Sequence, residues 1–202
     1  MHLTLFVHLC KFYKMNEPKL FMLLLGCRPP GRHTEQHDTL FAIGTSPKNL
    51  IPQILGFWPE VKGKIHVDAW REITQVDGYA ITIVLNDKPE INNDKLPKLF
   101  FINLGGYKPN EFDEFHYKML VVGNHKNDAV KQAKETAFYK HTGFKGAPSH
   151  IDDKYGIDVD DFHEIKDILP VSMKERYSIL IKPTASIFKD EMHLGYFKLD
   201  KL

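Results

Sequence analysis

The residues with the clearest chemical potential are histidines and carboxylates set two apart. "TEQHD" (34–38) places Glu35 before His37, and "DEFHY" (113–117) places Glu114 before His116. "HVD" (66–68) and "HID" (150–152) add His66 with Asp68 and His150 with Asp152. On a strand, residues i and i+2 project from one face, so each pair can converge on one ligand. A carboxylate beside an imidazole fixes its tautomer and raises its basicity, which suits a general base or a metal ligand. If the pairs meet across neighbouring strands, Glu35, His37, His66 and Asp68 form a candidate catalytic group. His37, His66 and Asp68, and separately His116, His150 and Asp152, are then candidate ligands for zinc, manganese or iron. Neither spacing matches H-E-x-x-H or another compact metal signature, and no complete catalytic motif is present. A structural use of the Glu-x-His pairs, each Glu tethering its His and the loop before it, is therefore favoured. Both pairs occur twice, and ion-pair networks of this kind are often structural.

Other polar features carry less. In "GCRPPGRHTEQHD" (26–38), Gly26 and Gly31 permit close backbone approach, while Arg28, Arg32 and His33 supply positive charge for a phosphate or carboxylate. The loop is not a P-loop, and the bland expectation is that both arginines pair with Glu35 and Asp38. Arg28, Arg32 and Trp70 are thus weak ligand-binding candidates, Trp70 only if it is exposed. Cys27 reads as a small thiol at a strand end rather than a nucleophile. "IDDKYGIDVDDFHE" (151–164) lacks the order of an EF-hand loop and reads as a solvated acidic loop.

These side chains need elements to hold them. Leu20–Leu25 is a short apolar run ending at Gly26, as in a strand covered on both faces. A second strand ends at Ile43, with Gly44 after it. A helix follows, capped by Asn49 and stopped near Phe57-Trp58-Pro59. "KIHVDAWREI" (64–73) alternates, with Ile65, Val67, Ala69 and Ile73 on one face and His66, Asp68, Trp70 and Glu72 on the other. "VDGY" (76–79) turns the chain into a strand at Tyr79–Leu85.

The pattern then recurs. "KLFMLLLGCRPPGRHTEQHDTLFAIG" (19–44) aligns without a gap on "KLFFINLGGYKPNEFDEFHYKMLVVG" (98–123). Nine of the 26 positions are identical, where average composition gives roughly one or two. The match continues through a helix capped by Asp128, then "HID" (150–152) opposite "HVD", then "YSILIK" from Tyr177 opposite "YAITIV" from Tyr79. The expected architecture is α+β, a tandem duplication of a ββαββ unit that is β-grasp-like in element order, with mostly antiparallel sheets. Residues 1–18 read as an N-terminal extension with Met15 as an alternative start. Residues 19–86 and 98–183 are the two repeats, joined by a polar, proline-bracketed linker. Residues 184–202 add a C-terminal edge strand near Leu194–Leu199 and a solvated end.

The stretches "LFMLLLGCRPPGRHTEQHD", "GFWPE" and "KIHVDAWREI" together resemble a family of mostly bacterial proteins, domain-of-unknown-function family 1543. The second half is similar to the second copy often found there. The resemblance spans about Lys19 to Ile181. It implies a cytoplasmic α+β protein of unassigned activity and carries over no catalytic residue. Arg28 and Arg32 become Tyr107 and Glu111 in the second copy, so an anion site built on them would exist once.

Composition fits a soluble globular chain. Lys+Arg 27 against Asp+Glu 26 leaves a net charge of +1 in 202 residues, which points to neither nucleic acid nor an anionic membrane surface. Two cysteines make no disulfide framework, so a reduced cytoplasmic setting is expected. The favoured function is a non-enzymatic binding or assembly module, a homo-oligomer joined through strand edges or the Trp70 face, with no cofactor implied by a motif. The alternative is a metal-assisted, hydrolase-like enzyme using Glu35, His37, His66 and Asp68.

Overall fold

The middle strand of the first sheet is apolar at nearly every position, and that fixes its place. β1 (Lys19–Cys27) pairs antiparallel with β2 (Gln36–Gly44) on one side and with β3 (His66–Ile73) on the other. Phe21, Leu23, Leu25 and Cys27 face a core shared with Leu40 and Ala42 of β2 and Val67 of β3. A short 3-10 turn, Pro47–Leu50, and helix α1 (Ile51–Phe57) cover that face with Leu50 and Ile54. Val61, Ile65 and the half-buried Trp58 extend the core. The opposite face buries Leu20, Phe41, Ile43 and Ile73 as well. The computed structural model describes residues 17–86, 96–107, 110–134, 157–186 and 188–202. The proposed extension and alternative start before residue 17, and the linker between 86 and 96, therefore fall largely outside the described residues.

β4 (Gln75–Val76) and β5 (Tyr79–Leu85) form a hairpin in which Asp77 and Gly78 both have positive φ, 50° and 79°. That is the backbone a type I′ turn requires, and "VDGY" signalled it. β6 (Lys98–Tyr107) pairs with β7 (Glu114–Gly123) and with β8 (Ile157–Glu164), again antiparallel on both sides. Phe100, Ile102, Leu104 and Val121 pack against Ala129 and Ala133 of α2 (Lys126–Lys134). Short helices α3 (Ile165–Ile168) and α4 (Val171–Arg176) lead into β9 (Tyr177–Pro183), and β10 (His193–Lys198) follows. The sheets run β10-β3-β1-β2, β4-β5-β9 and β7-β6-β8. All three are antiparallel, so the chain is a mixed helix-and-strand protein. No helix among the described residues is long and apolar enough to cross a membrane.

Several expectations change. The compact units are not sequential: one comprises residues 1–89 and 169–202, the other 90–168. β9 pairs with β5 from Tyr79↔Pro183 to Leu85↔Tyr177, so the last strands of the two sequence repeats pair with one another instead of closing separate ββαββ sheets. The strand lying beside β6 is Ile157–Glu164, inside the stretch read as an acidic loop. Glu164 stands opposite Phe100 as Glu72 stands opposite Phe21. Asp158, Val159 and Asp160 thus take the places of His66, Val67 and Asp68, and His150 and Asp152 lie outside the described residues. Asn49 does not cap α1: it sits in the 3-10 turn, accepting from Ser46 Oγ at 2.9 Å and bonded to Thr45 Oγ1 at 2.5 Å. Asp128 lies inside the first turn of α2 rather than before it.

The alternation in β3 also breaks. β1 and β3 slip register between Leu24↔Ala69 and Leu25↔Val67, leaving Asp68 as the extra residue of a bulge. One added residue flips every later side chain to the other face. Trp70 accordingly packs on the core side, with its ring 6.2 Å from that of Phe21, while His66 stays on the opposite face.

β10 is the edge strand the sequence suggested, but the end is not solvated: Phe197, Leu199 and Leu202 pack against the core. Phe197→Ala is expected to lower unfolding stability by about 2 kcal/mol, because it truncates a half-buried core contact. Leu194→Ala, at a residue 71% exposed, should cost less than about 0.5 kcal/mol. Urea unfolding monitored by Trp fluorescence separates the two; equal midpoints would show that β10 adds no packing.

Candidate functional site

Gly26 is flanked on both sides by histidines. It stands opposite His37 of β2 and opposite His66 of β3. Directly opposed residues in an antiparallel ladder share a face, so both imidazoles rise over a position with no side chain. A Cβ on Gly26 would lie 2.5 Å from Asp68 Oδ2 and closer still to His66 Nε2. The glycine is required by this close approach, not by its φ. The bulge supplies the fourth group by turning Asp68 toward the same space, and the loop before β2 brings Glu35.

The sequence pairs therefore meet. His66 Nε2 lies 3.1 Å from Glu35 Oε1 and 3.1 Å from Asp68 Oδ1. His37 Nε2 lies 3.2 Å from Asp68 Oδ2 and 3.9 Å from Glu35 Oε2. Burial is graded: the side chain of His66 is 8% exposed, Asp68 26%, His37 44% and Glu35 46%. The cluster thus has a buried floor and an open, ionisable rim. Despite the short distances, His66 Nε2 and Asp68 Oδ2 are buried and make no hydrogen bond, so these contacts are close without being aligned. The ring of Tyr196 on β10 stacks on His66 at 4.1 Å and 29°, fixing the plane of the imidazole. A cleft of about 360 Å³ adjoins this pair, lined by Lys64, His66, Tyr196, Lys198 and Asp200 among others.

The second unit repeats the layout with other chemistry. Gly105 stands opposite His116 and Asp158, and a Cβ there would overlap the carboxylate of Asp160. His116 Nδ1 is 3.1 Å from Asp160 Oδ2, and Nε2 is 3.9 Å from Glu114 Oε2. Asn103 Nδ2 lies 3.2 Å from His116 Nδ1 and donates to Asp161 Oδ2 at 3.0 Å. His116 thus presents Nδ1 inward, where His37 presents Nε2. Sequence reasoning missed Asn103 and Gly105, assigned Gly26 to an anion loop, and read Asp160 and Asp161 as part of a solvated acidic loop; a glycine breaking an otherwise apolar strand was the available signal.

The remaining candidates separate from the cluster. Arg28 and Arg32 are exposed and form no ion pair among the described residues, because Glu35 is turned toward His66. Trp70 is half-buried, and its ring stacks on His193 at 3.8 Å and 13°. Cys27 is a free, buried thiol. Burial pushes its pKa up, and Glu35 and Glu60 add to the rise.

Residues 32–83 match the model of a family described as Domain of Unknown Function (DUF1543), a range that holds Glu35, His37, His66 and Asp68. No curated protein matches the chain. A similar solved structure is that of protein Il1583 from Idiomarina loihiensis. It is 20% identical, covers 91% of this chain and 98% of its own, and has a TM-score of 0.54. At that identity the likeness speaks for the fold alone.

Cys27 should resist alkylation in the folded protein, since a raised pKa leaves less thiolate at neutral pH and the sulfur is covered. Peptide mapping after brief iodoacetamide treatment is expected to find Cys27 unmodified until denaturant is added. Rapid labelling of the native chain would mean that the end of β1 opens.

Proposed function

We propose that the chain is a binding protein whose working site is the His/carboxylate cluster over Gly26, carried on the first of two copies of a duplicated unit. The observation that carries this is the convergence of Glu35, His37, His66 and Asp68 from a loop, β2 and β3, with two polar atoms left buried and unbonded. A cluster kept only for structure would be expected to satisfy them. Duplication is supported by matching registers: Lys19↔Gly44 with Lys98↔Gly123, and Phe21↔Glu72 with Phe100↔Glu164. Ion pairs Lys19–Glu72 at 2.7 Å and Lys98–Glu164 at 3.2 Å close the same corner in each. A cytoplasmic setting agrees with the free thiol of Cys27.

Assembly of copies through β10 is less favoured, because its register slips between Leu194 and Phe197, and a bulged edge pairs poorly with another strand. A hydrolase reading draws on one observation, the cleft that shares His66 and Tyr196 with the cluster and could admit a substrate. Binding is favoured over it because the described residues supply no complete catalytic arrangement beyond the cluster itself.

The test is a thermal-shift panel on the full chain and on His37→Ala, with zinc, manganese, phosphate, citrate and ATP as probes. At least one probe is expected to raise the Tm of the parent by a few degrees and leave the variant unmoved, since a ligand that binds only the folded state stabilises it by mass action. Equal shifts in both proteins, or none in either, would remove the cluster as the binding site.

A further inference from the structure

We infer that the cluster over Gly26 is a site for one divalent transition-metal ion of the zinc class, with Glu35, His37, His66 and Asp68 as its four ligands. This rests on the reading of the cluster as the binding site and names its ligand.

Donor spacing is the first argument. Four ligands placed about 2.0–2.1 Å from a tetrahedral metal stand roughly 3.3 Å from one another. Three inter-head distances here are 3.1, 3.1 and 3.2 Å, and the fourth is 3.9 Å. Each carboxylate meets the two imidazoles with different oxygens, so the four heads form a ring of His–carboxylate contacts close to ligand spacing. They touch one another, however, and among the described residues no three of them yet surround a metal-sized point. Ion entry must replace the His–carboxylate contacts with metal–ligand bonds, by rotation of the side-chain heads.

Orphaned atoms are the second argument. His66 is more than nine-tenths buried, its Nε2 has no hydrogen-bond partner, and it is aimed at the two carboxylates. Asp68 Oδ2 is orphaned on the same spot. A cation there would satisfy both at once.

Charge and ligand type select the metal. Two neutral imidazoles and two carboxylates present a charge of −2, which a divalent ion cancels. Two nitrogen donors exclude calcium and magnesium, which prefer all-oxygen shells. Without thiolate the site is not one for a soft monovalent ion, since Cys27 faces the core on the other side of the sheet. The remaining class is zinc, with manganese, iron or cobalt as weaker fits. The half-exposed Glu35 and His37 leave a way in, and Tyr196 stacked on His66 holds the buried ligand in orientation.

The second unit provides an internal control. Asp158 stands at the place of His66, and Asn103 already engages His116 and Asp161. One imidazole among oxygens, turned by Nδ1 onto Asp160, is a poorer zinc site.

The experiment uses the full chain after chelator treatment and dialysis. Zinc is titrated calorimetrically, and bound metal is counted by elemental mass spectrometry. One zinc per chain is expected, with Glu35→Gln and His37→Ala each weakening binding at least about 100-fold and His116→Ala leaving it within about threefold. Glu35 and His37 lie at the exposed rim, so these variants are expected to fold, which circular dichroism verifies. Binding lost on His116→Ala but kept in Glu35→Gln would overturn the assignment, as would a stoichiometry near zero. If zinc fails while phosphate, citrate or ATP shifts the parent and not His37→Ala, the metal assignment falls and the binding site stands. If no probe separates them, both fall.

Discussion

The organisation of the first unit turns on a missing side chain at the end of its central strand. β1 spends its odd-numbered positions on the core and then reaches Gly26, where both neighbouring strands place a histidine on the opposite face. A methyl group there would collide with His66 and Asp68. The close-packed core a few residues earlier holds the three strands in register, so the heads above Gly26 cannot drift apart without shifting strands. Rigidity comes from apolar packing and proximity from the absent Cβ.

Positioning of the polar groups depends on one irregularity. With regular pleating His66, Asp68 and Trp70 would share a face, and Trp70 would sit beside the cluster. The bulge at Asp68 lets Trp70 join the core while His66 and Asp68 remain together on the other side. Bulges re-aim side chains next to sites in this way. Here the result is an aromatic residue freed to cover the core and a carboxylate turned over a glycine.

Much of this was legible in the sequence, and the failures have physical causes. The apolar run in β1, the Glu-x-His pairs, the helix before "GFWPE" and the turn at Asp77-Gly78 all depend on local chemistry, and each lies where local signals placed it. The meeting of Glu35, His37, His66 and Asp68 was left open, because same-face projection within one strand does not say which strands are neighbours. The bulge was hidden, since no residue type in "HVDAWREI" announces a slipped register. Matching "HVD" to "HID" followed letters rather than pairing: the strand beside β6 carries "DVDDFHE", whose acidity resembles a loop. The return of β9 and β10 to the first unit is a long-range event that periodicity does not report. Asn103 escaped notice because a polar residue in an apolar strand shows its role only through its neighbours, here His116 and Asp161.

The two units hold their histidines in differently bridged polar networks. In the second, an amide from the central strand bridges histidine and aspartate, although Asn103 Oδ1 itself is left without a partner. In the first, Leu24 stands where Asn103 does, so no donor reaches between β2 and β3. The four heads must then satisfy each other, and they do so at short distance but poor alignment. Each buried polar atom left in that state costs about 1–3 kcal/mol. A rigid strand trio retains such a cost in one unit and bridges the histidine in the other, and that difference is what the proposed binding site rests on. The greater exposure of Glu35 and His37 relative to His66 means that a ligand bound as proposed would enter from the rim toward the orphaned nitrogen beneath.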